Sequence, residues 1–190
     1  MKKILIGSFI ASSILMGSNS IQVNINSDTV EVSADMYLNN YYNLNENSNY
    51  YFTADHLRTE ENNLEIQSLS SAGFKVLNPY TDNNGISIGL GMKAVYSGQM
   101  NKSFFAIPLT VFGKIEISEV IYVNAELSYA PKVLSFTDGE TYQDMKAQVN
   151  YKVLADGYIF VGARNIQTEY KNGIIKKYDN SAFLGLEVRF

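Results

Sequence analysis

The sequence predicts an all-β protein, a transmembrane antiparallel up-and-down β-barrel over residues 21–190 that follows a cleaved signal peptide over residues 1–20. Three observations lead to this prediction. Apolar residues recur at two-residue spacing along the chain, and no segment after residue 20 shows the 3.6-residue stripe of an amphipathic helix. The opposite face of these runs is polar, and the last run ends on an aromatic residue, Phe190.

The N-terminal segment has the organisation of a secretory signal peptide. Lys2 and Lys3 form a positive region, residues 4–17 are mostly apolar, and Ser18 and Ser20 are small residues suited to a cut after Ser20. The apolar stretch is too short for a transmembrane helix. Because the chain has no cysteine, a disulfide framework and a lipid-modified cysteine are both excluded.

The composition limits the class of partner. Without Lys2 and Lys3 the chain keeps 13 of its 15 Lys and Arg residues against 19 Asp and Glu residues, a formal charge of −6, which argues against nucleic acid. Fourteen tyrosines, ten phenylalanines and only three prolines suit a β-protein. We expect one domain.

Nine alternating runs follow one another along the chain. In the first half they cover about 30–38, 50–58, 64–77, 85–97 and 104–117. Pro108 falls inside the fifth run and predicts a bulge, because proline has no N–H to donate to a neighbouring strand.

The second half adds four runs, at about 120–129, 144–153, 158–169 and 181–190. The cleanest places Met145, Ala147, Val149, Tyr151 and Val153 opposite Asp144, Lys146, Gln148, Asn150 and Lys152. A soluble β-sandwich or a lipocalin-like barrel also alternates, but it would point its apolar face inward and would not need a polar interior.

An even number of strands places both ends of a barrel on one side of the membrane. A short additional strand over residues 21–25 would raise the nine runs to ten, which we favour. Eight is the alternative if 50–58 and the first half of 64–77 are not separate strands. Short turns at 118–119 and 155–157 then lie on the side of the termini, and longer loops at 130–140 and 170–180 lie on the other side.

Four segments together resemble the YfaZ family of small outer-membrane proteins: VEVSAD at 30–35, GISIGLGMK at 85–93, YAPKVLSF at 129–136 and GYIFVGARNI at 157–166. The resemblance covers essentially all of residues 21–190. It implies an integral barrel in the outer membrane of a Gram-negative envelope. It transfers no catalytic or ligand-binding residues.

The end of the chain resembles the signal that the outer-membrane assembly machinery reads. Gly185, Val188 and Phe190 fit this signal, whereas Phe183 stands where a polar residue is common. We therefore expect the assembly machinery and periplasmic chaperones as partners during biogenesis, outer-membrane lipids afterwards, and a monomeric protein.

Candidate catalytic groups are sparse. His56 is the only histidine; on a strand its neighbour Asp55 points to the other face, and no serine is placed by spacing to pair with it. We expect His56 to be an interfacial polar residue that shares the outer face with Phe52 and Ala54. The sequence predicts no catalytic residue, no cofactor and no metal site.

The inward faces collect charged residues of both signs in nearly equal number, which favours a network of ion pairs that fills the lumen. The predicted members are Lys93, Glu126, Asp144, Lys146, Lys152, Arg164, Glu187 and Arg189. Pairing of Lys146 and Lys152 with Glu126 on the preceding strand is geometrically plausible. The resulting function is a non-enzymatic role in envelope integrity or surface interaction; the alternatives are a narrow porin-like channel and a lipid-modifying envelope enzyme.

The tyrosines have two interpretations. Tyr96, Tyr129 and Tyr151 are expected to face outward, where they would form an aromatic girdle at the depth of the lipid headgroups. The alternative is a set of sugar-stacking sites.

Overall fold

The strands with alternating apolar and polar residues form a closed antiparallel β-barrel in the computed structural model. The structure describes residues 19–42, 44, 47–61, 65–79, 85–99 and 102–190. The predicted signal peptide lies outside the described residues except for Asn19 and Ser20. Within the described ranges, no helix is long and apolar enough to cross a membrane.

The described residues form twelve strands. Their bounds are β1 Ser20–Ile25, β2 Thr29–Tyr37, β3 Asn49–Glu61, β4 Glu65–Pro79, β5 Ile86–Gln99, β6 Lys102–Ala106, β7 Leu109–Glu116, β8 Ile121–Ala130, β9 Ser135–Thr137, β10 Gly139–Lys152, β11 Gly157–Tyr170 and β12 Ile175–Arg189. One 3-10 turn, Lys132–Leu134, precedes β9.

Ten strand positions make up the wall, as the sequence favoured. When β6 and β7 count as one position and the short β9 is left out, each wall strand pairs antiparallel with the next along the chain, and β1 pairs with β12 to close the ring. The short strand predicted over residues 21–25 is present as β1. The runs at 50–58 and 64–77 are full wall strands, β3 and β4, so the eight-strand alternative is wrong.

Pro108 interrupts one wall position. β6 and β7 are two parts of a single strand that breaks at Ile107 and Pro108; β7 pairs with β5 and β8, whereas β6 pairs with β5 and with the short β9. The irregularity predicted there is confirmed, but it is a break in the strand and not one extra residue. Inward alternation continues across the break through Phe104, Ala106, Pro108 and Thr110, and Phe104 is fully buried in the interior.

The predicted loop over residues 170–180 is wrong. β11 continues to Tyr170 and β12 begins at Ile175, so residues 171–174 alone connect them. The pairing of Ile166 with Asp179 is followed by that of Gln167 with Lys177, which leaves Tyr178 as the extra residue of a β-bulge. The bulge shifts the alternation by one residue, and for that reason the segment did not resemble a strand.

The barrel has two ends, the terminal end, which holds both ends of the described chain, and the distal end opposite to it. The terminal end holds Ser20, Arg189 and the turns after β7 and β10, and the distal end holds the turns after β1 and β11. The connection over 38–48 also lies at the terminal end, so the expected preference for short turns there does not hold for every connection.

Polarity is inverted relative to a soluble barrel. Large apolar side chains are exposed on the outer face: Ile21, Val23, Val32, Leu90, Val111, Val149, Val161, Leu184, Leu186 and Val188. Charged and amide side chains on the same strands point inward, including Glu31, Lys93, Gln148 and Glu187. A continuous apolar outer wall is unfavourable in water and suits a lipid bilayer, so the soluble-barrel interpretation does not fit.

The interior is layered along its axis. Near the distal end an apolar cluster fills it, formed by Leu57, Leu69, Val95, Phe104, Ala106, Ala130, Tyr142, Ile166, Tyr170 and Tyr178. Charged side chains form a belt below this cluster. From the belt to the terminal end the lumen is an open cavity of about 980 Å³, called the vestibule below.

An arginine at Leu90 should cost about 2–4 kcal/mol of unfolding free energy, because this outward side chain is 65% exposed on the apolar wall. The matched control is Ser87→Arg on the same strand, whose side chain lines the vestibule and which should cost clearly less. Gly89 is unsuitable as the inward control, since a Cβ there would lie 2.1 Å from the Phe112 ring. Denaturant unfolding of the refolded protein would measure both, and equal costs would contradict the assignment of faces.

Candidate functional site: the charged lumen

Arg164 is the centre of the charged belt. Its side chain is fully buried, and Nε donates to the carboxylate of Asp179. Nη1 donates to Glu31 Oε2 at 2.6 Å and to Asn24 Oδ1 at 2.8 Å, and Nη2 donates to Thr29 Oγ1 at 2.5 Å. One guanidinium therefore connects β11 to β1, β2 and β12, and its charge is balanced by two carboxylates.

Lys146 does not pair as expected. It lies directly opposite Glu126 in the β8–β10 register, yet Lys146 Nζ donates to Glu31 Oε2 at 2.7 Å, across the lumen. Glu126 instead accepts a hydrogen bond from Lys93 Nζ at 2.7 Å, and Asp144 lies 3.4 Å from the same nitrogen. The long lysine side chains reach past their nearest cross-strand neighbours, because a narrow lumen places other acids within the same range.

Glu187 and Arg189 form a second group near the terminal end. Arg189 Nε donates to Glu187 Oε1 at 2.5 Å, and Tyr122 Oη donates to Glu187 Oε2 at 2.7 Å. The Arg189 guanidinium lies 4.9 Å from the Tyr122 ring centre and 4.3 Å from that of Tyr158, within the range of cation–π contact. Both residues are thus members of the lumen network.

Lys152 is not a member of this network. No carboxylate of the described residues lies within ion-pair distance of its ammonium, and its side chain is only half-buried. Lys152 is the last residue of β10, at the terminal end, where water can solvate the charge. The predicted pairing with Glu126 is therefore wrong.

Several members of the belt were missed by sequence reasoning. Asp179, Asn24 and Thr29 contact Arg164. Asp179 could have been found, because counting back in twos from Glu187 reaches it. The polar appearance of residues 170–180 made that stretch look like a loop.

The remaining predicted positions are where alternation placed them. Tyr96, Tyr129 and Tyr151 are exposed on the outer wall. His56 is exposed beside Ser70, with 2.9 Å between His56 Nδ1 and Ser70 Oγ, while Asp55 points inward and accepts a hydrogen bond from Ser71 Oγ at 2.8 Å. In the part of the chain that the structure describes, no group of three or more His, Asp or Glu side chains could hold a metal ion.

The three residues of the predicted assembly signal lie on β12 and just beyond it. Val188 is exposed on the outer face, whereas Phe190, which is 47% exposed, borders the vestibule; the Phe190 backbone exchanges two hydrogen bonds with Asn19. Gly185 faces inward, where a Cβ would lie 2.2 Å from the Phe160 ring. Gly185 therefore has a packing requirement of its own.

No protein-family model matches the chain, so the resemblance to the YfaZ family is not confirmed, and no curated protein matches it. Among solved structures, it is similar to the outer membrane channel DcaP of Acinetobacter baumannii, with a TM-score of 0.46 and 10% identity over 93% of this chain and 60% of that one. It is also similar to outer-membrane expressed OmpT of Vibrio cholerae, with a TM-score of 0.41 and 13% identity over 85% of this chain and 56% of that one.

The chain thus spans little more than half the length of these two structures. A likeness at this level carries no information on activity. The barrel fold rests on the strand pairing of the chain itself.

Arg164→Gln should lower the unfolding free energy by about 3–5 kcal/mol, since it leaves Asp179 and Glu31 with less compensation in a buried site. Lys146→Gln should cost less, because Glu31 keeps Arg164 at 2.6 Å. Lys152→Gln is the control on the same strand as Lys146 and should be nearly neutral. Denaturant titration of the three refolded variants would test this order, and a Lys152→Gln cost equal to that of Arg164→Gln would contradict it.

Proposed function

We propose that the chain is an integral outer-membrane β-barrel of a Gram-negative envelope, non-enzymatic, with a largely filled polar lumen that does not conduct solutes at rest. Its role is then in envelope integrity or in surface interaction. The observation that carries the proposal is the combination of an apolar outer wall with an interior whose charges are paired and whose distal end is packed.

Placement in a membrane follows from the outer wall. Leu90 and Leu184 are more than 60% exposed on it, and water-soluble monomers rarely expose so large a continuous apolar surface. The even number of wall strands brings both ends of the described chain to one side, which in outer-membrane barrels is the periplasmic side. The terminal end is therefore assigned to the periplasm.

The filled lumen is supported by two layers. In the belt, Lys93, Lys146 and Arg164 each lie within 2.7 Å of a carboxylate. In the distal cluster, the Phe104 and Tyr142 rings stack with centres 5.5 Å apart, and the Tyr170 and Tyr178 hydroxyls are 3.2 Å apart. No residue of the distal cluster lines the vestibule, so among the described residues the cavity ends at the belt.

A narrow channel is the second candidate. The vestibule favours it, because this part of the lumen is already open and carries many polar side chains. Conduction would require the Phe104 and Tyr142 rings to move away from the axis.

The geometry offers little support for an enzyme. His56, the only histidine, points to the outer wall, while Asp55 points into the lumen on the other face of β3. The two side chains cannot act as an acid–base pair across the sheet, and Ser70 is the hydroxyl that His56 contacts, on the side facing lipid. A nucleophile and base that faced a substrate from the lipid side would lack a carboxylate to orient the base.

Biogenesis would depend on the last strand. β12 closes the ring with β1, and Phe190 places a partly exposed aromatic residue just after this strand, beside the vestibule. We infer that the assembly machinery recognises this end, and that periplasmic chaperones hold the unfolded chain before insertion.

The refolded protein should show no steady, porin-sized conductance in a planar bilayer, because belt and distal cluster together block the axis. Replacing Phe104 and Tyr142 together by alanine removes the stacked rings and should produce a small leak. Tyr129→Ala, which removes an outward tyrosine, is the control and should leave the bilayer sealed. Steady large currents through the unmodified protein would favour the channel instead.

Deleting Phe190 should reduce the amount of folded, heat-modifiable barrel in the cell envelope, while refolding of the same variant in detergent should be nearly unchanged. This contrast is expected if the ring is recognised by another protein, since it packs against no side chain of the barrel core. Tyr129→Ala again serves as the control for loss of an outward aromatic ring. An unchanged envelope level on deletion would mean that assembly is directed elsewhere.

A further inference from the structure

The distal part of β12 forms a free sheet edge. β1 pairs with β12 only as far as Ile25 opposite Leu184, while β12 extends back to Ile175. On that side, no backbone hydrogen bond joins residues 175–183 to another strand among the described residues. A lipid-exposed sheet edge does not occur within the hydrocarbon of a membrane. The free edge therefore lies beyond the hydrocarbon, in the aqueous region at the distal end.

A second boundary without a strand ladder lies between β9 and β10. The β8–β10 ladder ends at Ala130 and Tyr142, and β9 pairs with β6. Residues 139–141 of β10 therefore have a strand beside them on the β11 side only. The two neighbouring wall positions are interrupted at the same level, one by Pro108 and the other by the 3-10 turn that follows Ala130.

These two boundaries delimit one part of the wall, called the distal leaf below. It consists of residues 139–141 of β10, 163–170 of β11 and 175–183 of β12. On the β9 side the chain itself connects the leaf through Asp138, whose backbone carbonyl accepts a hydrogen bond from the Lys171 N–H at 3.1 Å. On the β1 side the described residues give it no backbone attachment. The β9 side is therefore the axis about which the leaf can turn.

Side chains alone hold the free edge of the leaf closed. The buried carboxylate of Asp179 accepts hydrogen bonds from Asn26 Nδ2 at 3.0 Å and from Thr29 Oγ1 at 2.9 Å. Asn26 Nδ2 also donates to Ser181 Oγ at 2.6 Å. Asp179 thus contacts both residues that the β1–β2 connection offers to the leaf, and the edge can separate from that connection without breaking a strand ladder.

The contacts that block the lumen also join the leaf to the rest of the barrel. Arg164 of the leaf lies 2.6 Å from Glu31 of β2, and Tyr142, at the base of the leaf, stacks on Phe104 of β6. Three residues of the leaf belong to the distal cluster: Ile166, Tyr170 and Tyr178. An outward movement of the leaf would therefore withdraw Arg164 from the belt and open the packed distal end at the same time.

We propose that the distal leaf is a gate, which turns outward about its β9 side, has Asp179 as its latch, and connects the vestibule with the space beyond the distal end. The proposal rests on the proposed function, because it takes the barrel to be inserted in a membrane and sealed at rest. It adds a movable part to that sealed barrel. The narrow channel is then the open state of the same molecule.

The test is single-channel recording of the full chain, refolded and inserted in a planar bilayer. Asp179→Ala removes the latch and should raise the fraction of time spent open at least about tenfold, because it removes hydrogen bonds to a charged group. Asp28→Ala is the matched control. It removes an exposed acid of the same β1–β2 connection, whose carboxylate accepts a hydrogen bond from Ser27 Oγ, and it should leave the barrel sealed.

Cross-linking distinguishes a moving leaf from a barrel that is loosened throughout. The chain has no cysteine, so two thiols can be introduced at chosen positions. In the Asp179→Ala background, Asn26→Cys with Ser181→Cys places them across the free edge, and a short bifunctional thiol reagent should abolish the openings. Asn165→Cys with Asn180→Cys is the control pair: these residues lie opposite each other within the leaf, and joining them should leave the openings unchanged.

Two results would overturn the proposal: a folded, heat-modifiable Asp179→Ala barrel that stays sealed, and openings that persist after the link between positions 26 and 181 has formed. If Asp179→Ala does not fold, Asn26→Cys with Ser181→Cys tests the gate in a chain that keeps Asp179, since Asn26→Cys already removes one donor to the latch. Steady large currents through the unmodified protein would contradict the sealed lumen of the proposed function. The same cross-link would then decide on the gate, because it closes a path through the free edge and leaves any other path open.

Discussion

A wall that is apolar on its outside obliges the barrel to keep its charge in one narrow lumen, and the rest of the structure follows from this constraint. An ion buried there without a partner would cost several kcal/mol, so each cation of the belt is held by a carboxylate, and the amides of Asn24 and Asn26 also donate to carboxylates. Toward the distal end the same space is filled by aromatic and aliphatic side chains that need no such compensation. Toward the terminal end it remains open to water. The inward side chains of the wall are thus stabilised in three ways: by ion pairs in the belt, by apolar packing in the distal cluster, and by water in the vestibule.

Arg164 also helps to join the first strands of the barrel to the last one. β1 has six residues and pairs with β12 only from Arg189 to Leu184, so the distal part of β12 has no strand beside it on that side. Side chains replace the missing backbone ladder: Asn26 Nδ2 donates to Ser181 Oγ at 2.6 Å and to Asp179 Oδ2 at 3.0 Å, and Thr29 Oγ1 donates to the same carboxylate at 2.9 Å. Arg164 binds this group from the lumen side. The ion network is therefore part of the seam that joins the first strands to the last, and its stability is linked to that of the ring.

Sequence reasoning was strongest where structure depends on neighbours in the chain and weakest where it depends on the closed ring. Period-two alternation is a local property, so it correctly predicted the ten strands, the inward side of Lys93, Arg164 and Glu187, and the outward side of Tyr129.

Alternation could not identify the partner of Lys146, because the acid within reach across the lumen depends on barrel width and on the stagger of strands far apart in sequence. It failed at Tyr178, where one extra residue shifts the alternation. Pro108 gave a true signal of irregularity, but the change of partner at the break, with β9 beside β6 and β8 beside β7, is a tertiary event.

Residues of β12 that fit the assembly signal can also be explained by packing within the barrel. Gly185 fits a recognition signal, yet its position is explained without any receptor: the Phe160 ring and the Val23 carbonyl oxygen would lie 2.2 Å and 2.6 Å from a Cβ there. Phe183 stands where the signal commonly has a polar residue, and its ring packs edge-on against Phe160 with centres 6.1 Å apart. This aromatic pair therefore accounts both for the departure at Phe183 and for the glycine at 185. Val188 belongs to the lipid-facing wall. Phe190 is not part of the buried apolar cluster, and it borders the vestibule at the terminal end.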